Sequence, residues 1–340
     1  MLTNLFLCRQ RTNGYLKNTY GLVNSAQFMV NYFNSKGVPS AVETAKDAND
    51  IDRFVTGYDA KNVFIEALWV TPAKLKEILS LKRHKCRNWI IRIHSQITFL
   101  ANEGIAVDWL NGYKELQNCY SNLFVAPNDK SSYDYLKEVL DLRALYLPNM
   151  YLPLTPTIEP KNIVKSDTIK VGCFGAIRPM KNTLAQAFVA SAFAKEQYKK
   201  LEFYVNSSRL EQSGEPIYKN LVELFKNKTD QKLIECAWMT YKDFISTIKL
   251  MDFGTQTSLT ETFNIVAADF ISNGVPIIGS SAIEWLSDVL KVEPTDLDEL
   301  KEKMDLVYNH NFWRKHYVRA AQNNLMTSNK KAAKQWEMFL

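Results

Sequence analysis

The 340-residue sequence predicts an α/β protein built from two tandem Rossmann-like, doubly wound units facing a cleft. Three observations carry this expectation. Short apolar runs alternate with helical patterns along both halves, which implies parallel sheets covered on both faces. The stretch Pro148 to Pro160 holds four of the eleven prolines and suits an extended connection between the halves. The length is comfortable for two domains of roughly 150–170 residues each.

In the first half, residues 2–8 (LTNLFLC) read as a strand, and 21–33 carry apolar residues at helical spacing. Further strands are expected at 40–44, 62–68, 88–95, 123–127 and 144–148. Beyond the connection the alternation restarts. Strands at 169–175, 201–208, 232–238, 253–258 and 275–281 are separated by helices at 183–197, 217–227, 240–251 and 264–274. Residues 311–340 are helical in pattern.

Composition narrows the function classes. With 46% hydrophobic and 23% charged residues, the chain is neither disordered nor fibrous. Five scattered cysteines without a CxxC pair argue against a zinc site or disulfide framework and for a reducing compartment. No apolar run approaches the ~20 residues that span a bilayer, and the N-terminal stretch is too quickly polar for a signal peptide. A cytoplasmic protein is therefore expected. Net charge is +6, divided as +3 in residues 1–160 and +3 in 161–340. That balance permits nucleic-acid binding without indicating it. A tight basic cluster, Lys330, Lys331 and Lys334, reads as a solvated helix face.

The densest chemical signal is Thr257 to Trp285 (TSLTETFNIVAADFISNGVPIIGSSAIEW). A short strand ends near Ser258, a loop carries Glu261, and Asn264 is placed to cap the next helix. Gly274 and Pro276 stop that helix before another buried strand. The amides around Thr262, Phe263 and Asn264 would then stand at a helix N-terminus, a setting for phosphate or sugar hydroxyls. A second signal is Val171 to Asn182 (VGCFGAIRPMKN). Here a glycine-bearing turn leads from strand to helix, with Arg178 and Lys181 as cations suited to a diphosphate leaving group.

Together these segments resemble the retaining, nucleotide-sugar-dependent glycosyltransferases of the GT-B fold (GT4-like), with a second likeness to phage-encoded members over residues 60–110. Ser258, Glu261, Phe263 and Gly274-Val-Pro276-Ile-Ile match the family's acidic segment. Thr262 replaces its glycine, and Asp269 stands where it has a second glutamate. Gly175, Pro179 and Lys181 match its basic turn, with Ala176 at the usual basic position and Arg178 two residues later. The resemblance implies Lys181, Arg178, Glu261 and His94 as catalytic residues. It implies donor contacts from Gly21, Gly175, Thr262, Phe263, Asn264 and Asp269, with Trp238 and Met239 at the nucleobase. For Gly21, helix-start packing is an equal explanation. A buried, satisfied histidine is the alternative at His94, and core packing is the alternative at Trp238 and Met239. Arg92 shares a strand face with His94, and Glu66, Glu103 and Asp108 are carboxylates for the acceptor side.

The resemblance further implies a nucleotide-diphosphate sugar as donor substrate (a UDP-sugar, for example), no cofactor and no metal. It divides the chain into an acceptor domain over 1–155 and a donor domain over 161–319. A C-terminal helix over about 320–340, anchored by Trp336, crosses back to complete the first. Hydroxymethylated pyrimidine in phage DNA is one acceptor, in the host cytoplasm; polysaccharide and protein are rivals. A catalytically inactive scaffold, a two-domain ligand-binding protein and a nucleotide-sugar epimerase or hydrolase are the competing classes.

Overall fold

Three strands with near-continuous apolar sequence lie at the centre of the first sheet of the computed structural model, which describes residues 2–10, 12–13, 16–17, 21–152, 158–163 and 166–340. They are β1 (Asn4–Arg9), β5 (Asn62–Glu66) and β6 (Asn88–Ile93); β4 (Ser40–Ala45) pairs outside β1, and β7 (Leu123–Pro127) outside β6. Pairs β2 (Thr12–Asn13) and β3 (Leu16–Lys17) form a separate small ribbon. All five sheet strands run parallel in the order β4-β1-β5-β6-β7. Helices α1 (Gly21–Ser35), α2 (Asp50–Tyr58), α3 (Pro72–Ser80), α4 (Ile97–Leu100), α5 (Ala106–Cys119) and α6 (Lys130–Leu140) follow the strands in turn.

Both sheet faces are buried, as a parallel sheet requires. Leu5, Leu7, Val63, Ile65, Trp89 and Ile91 belong to one core, while Phe6, Cys8, Phe64 and Ile90 belong to another. Strand starts and strand ends differ in character. At the starts, Asn62 donates to Asn4 (2.9 Å) and Asn88 donates to Asn62 (2.8 Å), a ladder that fixes register. At the ends, one rung aligns Cys8, Glu66, Arg92 and Ala126.

The second unit holds β8 (Thr168–Cys173), β9 (Lys200–Asn206), β10 (Gln231–Cys236), β11 (Phe253–Gln256), β12 (Ile277–Ser280) and β13 (Lys291–Val292). These six parallel strands lie in the order β10-β9-β8-β11-β12-β13. The helices are α7 (Thr183–Glu196), α8 (Gly214–Phe225), α9 (Tyr241–Ile248), α10 (Ile265–Ser272), α11 (Leu297–Asn309) and α12 (Asn311–Trp336). Residues 1–153 and 328–340 make up the first compact unit and 154–327 the second. The chain is thus α/β, with two Rossmann-like parallel-sheet units. Within the first unit, Trp336 is fully buried, its ring 5.5–6.2 Å from those of Phe6, Phe33, Phe64 and Phe339. Its indole N–H donates to the Pro148 carbonyl (2.8 Å).

One expected strand takes a different form. Residues 144–148 run beside β7 through a single bridge, Val125 to Ala144, and hydrogen bonds from Leu145 and Leu147. Pro148 lacks the amide that would extend this pairing. Residues 18–20, just before Gly21, and the middle of the connection (153–157) lie outside the described residues.

Candidate active site

In doubly wound sheets, ligands bind beyond the carboxyl ends of the strands, where strand order reverses. In the second unit that point lies between β8 and β11. Both chemically dense segments begin there. After β8, Gly175 adopts φ +119°, which side chains resist, and its amide donates to Asn206 Oδ1 (2.9 Å) at the end of β9. A one-turn 3₁₀ helix, Pro179–Lys181, then presents Lys181. Asn182, at φ +53°, opens α7 and donates to the Thr257 (3.3 Å) and Pro294 (2.8 Å) carbonyls. After β11, the Leu259 amide donates to the Met180 carbonyl (2.9 Å), tying the two loops together.

This tie brings Lys181 Nζ into an ion pair with Glu261 Oε1. Asn264 holds the carboxylate from the other side, donating to Glu261 Oε1 (3.0 Å) and to Gln256 Oε1 (3.1 Å). Its own Oδ1 accepts from the Ala267 amide (2.9 Å) and so caps α10. Gln256 in turn donates to the Phe174 carbonyl (2.7 Å), locking the ends of β8 and β11. A Cβ on Gly254 would lie 2.6 Å from the Phe270 ring, so glycine lets α10 press close to the sheet. Thr257 Oγ1 and Ser258 Oγ are buried without a hydrogen-bond partner in this crevice. Cys173 is no nucleophile here, because burial pushes its thiol up to about 12.

The remaining donor-side candidates fall into neighbouring groups. Glu211 binds Arg209 (2.7 Å) and Arg178 (3.7 Å), and Arg209 lies 4.8 Å over the Trp238 ring. Asp269 is buried and accepts from the Tyr241 hydroxyl (2.9 Å). Met239 Sδ accepts from Thr247 (3.3 Å). Phe263 turns inward, its carbonyl accepting from Trp285 Nε1 (2.7 Å), whereas Thr262 is half-buried in the loop before α10. Asn206, Arg209, Glu211 and Tyr241 were not singled out in the sequence. The one available signal was their position at or just beyond the ends of strands β9 and β10.

In the first unit, Gly21 is the first residue of α1. His94 sits just past β6, its Nε2 2.5 Å from Glu66 Oε2 and its Nδ1 3.4 Å from Asn128 Nδ2. Arg92 stands beside Glu66 on the adjacent strand (3.7 Å), donates to Asn149 (2.8 Å) and lies 4.7 Å over Trp336. Burial pushes the Glu66 carboxyl up, but Arg92 and His94 outweigh it and leave the pKa below its ordinary value. Burial lowers the His94 pKa despite Glu66, so the ring is neutral beside a carboxylate. Ala67, immediately after Glu66, has φ +74°. Among the described residues, no group of three or more His, Cys, Asp or Glu is placed to hold a metal, and no helix is long and apolar enough to cross a membrane.

No family model matches the sequence, and no curated protein matches it. Solved structures do. Sucrose-phosphate synthase from Thermosynechococcus elongatus matches at TM-score 0.69 and 11% identity, over 99% of this chain and 96% of that one. HepE from Anabaena, solved with UDP and glucose, matches at 0.63 and 15% identity, over 98% and 99%. TarM from S. aureus, in complex with UDP among other ligands, matches at 0.59 and 12% identity, over 85% of this chain and 57% of that one. Likeness at this level of identity establishes the fold: two Rossmann-like α/β units of the GT-B type.

Proposed function

We propose that the chain is a glycosyltransferase that moves a sugar from a nucleotide-diphosphate sugar, such as a UDP-sugar, to an acceptor hydroxyl. One observation carries this reading: Lys181 and Glu261 meet at the switch point of the second sheet, beside the amino end of α10. In the transfer, the acceptor oxygen bonds to the anomeric carbon, the bond from that carbon to the diphosphate oxygen breaks, and the acceptor proton passes to the departing nucleoside diphosphate. Negative charge grows on the departing phosphate. Lys181 is the cation that meets it, with Arg178 and the α10 amides adding to the same field. Glu261 accepts from hydroxyls of the donor, and Asn264 fixes its orientation. Trp238 and Met239 serve the nucleobase, and Asp269 and Gly175 serve the ribose and phosphates.

Lys181 does the neutralising work here, so we propose a metal-independent reaction. Retention of anomeric configuration comes from the family resemblance. Residues 161–319 act as donor domain, and 1–155 with the end of α12 as acceptor domain, to which Gly21 and His94 belong. The likeness of residues 60–110 to phage-encoded enzymes adds hydroxymethylated pyrimidine in DNA as an acceptor, with polysaccharide and protein hydroxyls as alternatives.

Both HepE and TarM have been solved with UDP, which makes UDP-sugars the first donors to test. The experiment measures UDP release and sugar transfer with a panel of donors and the three acceptor classes, with and without a chelator. Turnover that survives chelation and falls at least a hundredfold in Lys181→Ala supports the reading. Absence of both hydrolysis and transfer across the panel overturns it.

A further inference from the structure

Helix α12 carries a feature that glycosyl transfer does not use. Over Asn311–Trp336 it contains six Lys and Arg residues and no Asp or Glu. At 100° per residue its buried stripe is Arg314, Val318, Ala321, Leu325, Asn329, Ala332 and Trp336. Phe312, His316, Lys330 and Lys334 fall on the opposite line, within about 40° of one another.

Phe312 is 77% exposed and Trp313 50%, although large aromatic side chains usually seek burial. Exposed Phe312, Trp313 and His316 form one cluster with half-buried Tyr317, contacting ring centroids being 5.3–6.5 Å apart. Trp313 is stacked on Tyr317, with an interplanar angle of 18°. Toward the other end, Lys330, Lys331 and Lys334 are exposed, and Met338 beyond them is 65% exposed. Two carboxylates flank this line: Glu159, bound by Arg319 (2.6 Å), and Glu337 just past the helix.

We propose that this outward face of α12 docks peripherally on an anionic lipid surface. The exposed cations Lys330, Lys331 and Lys334, which outnumber the neighbouring carboxylate of Glu337, are complementary to a negatively charged bilayer. Exposed Phe312, Trp313 and Met338 side chains suit the boundary between headgroups and acyl chains. A nucleic acid is the other polyanion. It is disfavoured because Phe312 and Met338 offer nothing to a phosphodiester, and Trp313 already has a ring face covered by Tyr317.

The test is cosedimentation of the full chain with vesicles of neutral phosphatidylcholine, alone or with one third phosphatidylserine, in low and high salt. The wild type is expected to bind the anionic vesicles and to release them in high salt. Lys330→Gln/Lys331→Gln/Lys334→Gln lowers the partition coefficient about a hundredfold if each charge adds its usual share. Phe312→Ser/Trp313→Ser weakens binding to the anionic vesicles in low salt. All five positions are exposed, and unchanged circular-dichroism melts confirm that the variants fold. No binding to anionic vesicles, or equal binding by wild type and both variants, overturns the proposal. So does preferential binding of duplex DNA that the same lysine variant abolishes.

Discussion

Lys181 and Glu261 lie 80 residues apart in sequence and form an ion pair in a half-buried crevice, with Asn264 on the same carboxylate oxygen. An incoming diphosphate competes with Glu261 for Lys181, so the two substitutions should behave differently. Lys181→Ala is expected to weaken nucleotide binding. Glu261→Gln is expected to leave UDP binding within a few-fold while lowering turnover, as separate titrations and rate measurements would show. In the first unit, Glu66→Ala strands the buried Arg92 guanidinium and should destabilise by about 3–5 kcal/mol, read from denaturant unfolding. The pH dependence has a definite sign. Glu66 and His94 both have folded pKa values below their ordinary ones. Each therefore supports stability that is present above its unfolded value and is lost as pH falls through the folded value. The melting temperature should drop on acidification from neutrality, starting as free histidine begins to protonate and deepening below the carboxylate range. His94→Gln should flatten the first part of that drop. Lys181 and Glu261 stood out in the sequence because each follows a strand end within a dense motif. The partnership of Glu66 with Arg92 did not, since register between strands 26 residues apart is a tertiary fact.

Helix α10 shows how an element delivers its site residue. Its cap, Asn264, sits at φ +56°, a conformation Asn tolerates better than most, while its side chain bonds both Glu261 and Ala267. Asn264→Ala should cost about 1–2 kcal/mol and release Glu261, which thermal unfolding and the donor KM would report together. Gly175→Ala meets no neighbouring atom, yet the backbone at φ +119° resists a side chain. Its expected loss of about 1–2 kcal/mol therefore reflects strain alone. Helices and strands of the second unit were legible as far as β12 because apolar runs, caps and stop residues agree there, whereas β13 and α11 were not read. The strand expected at 144–148 was misread because its apolar run has a proline end and only one ladder partner. The groups around Glu211 and Tyr241 escaped notice because their residues sit singly in loops, without a local pattern.

For the whole molecule, the two sheet orders matter most. The order β10-β9-β8-β11-β12-β13 places both motifs at one switch point, which periodicity alone could not reveal. At the other end of the chain, Trp336 fills the core of the first unit from the last helix. Trp336→Ala should destabilise that unit by about 3–5 kcal/mol, seen as an early unfolding transition in calorimetry. Nucleotide binding by the second unit should outlast that transition. The central claim is that the crevice between β8 and β11 binds a nucleoside diphosphate through Lys181. Its most direct test is the melting temperature of wild type and Lys181→Ala across a concentration series of UDP, with UMP as control. A ligand held only by the folded state stabilises by about 2.7 kcal/mol at a hundred times its Kd. The account predicts a concentration-dependent rise of several degrees with UDP, a smaller one with UMP, and near loss of the UDP effect in the variant. Equal shifts in wild type and variant, or none with any nucleoside diphosphate, would contradict it.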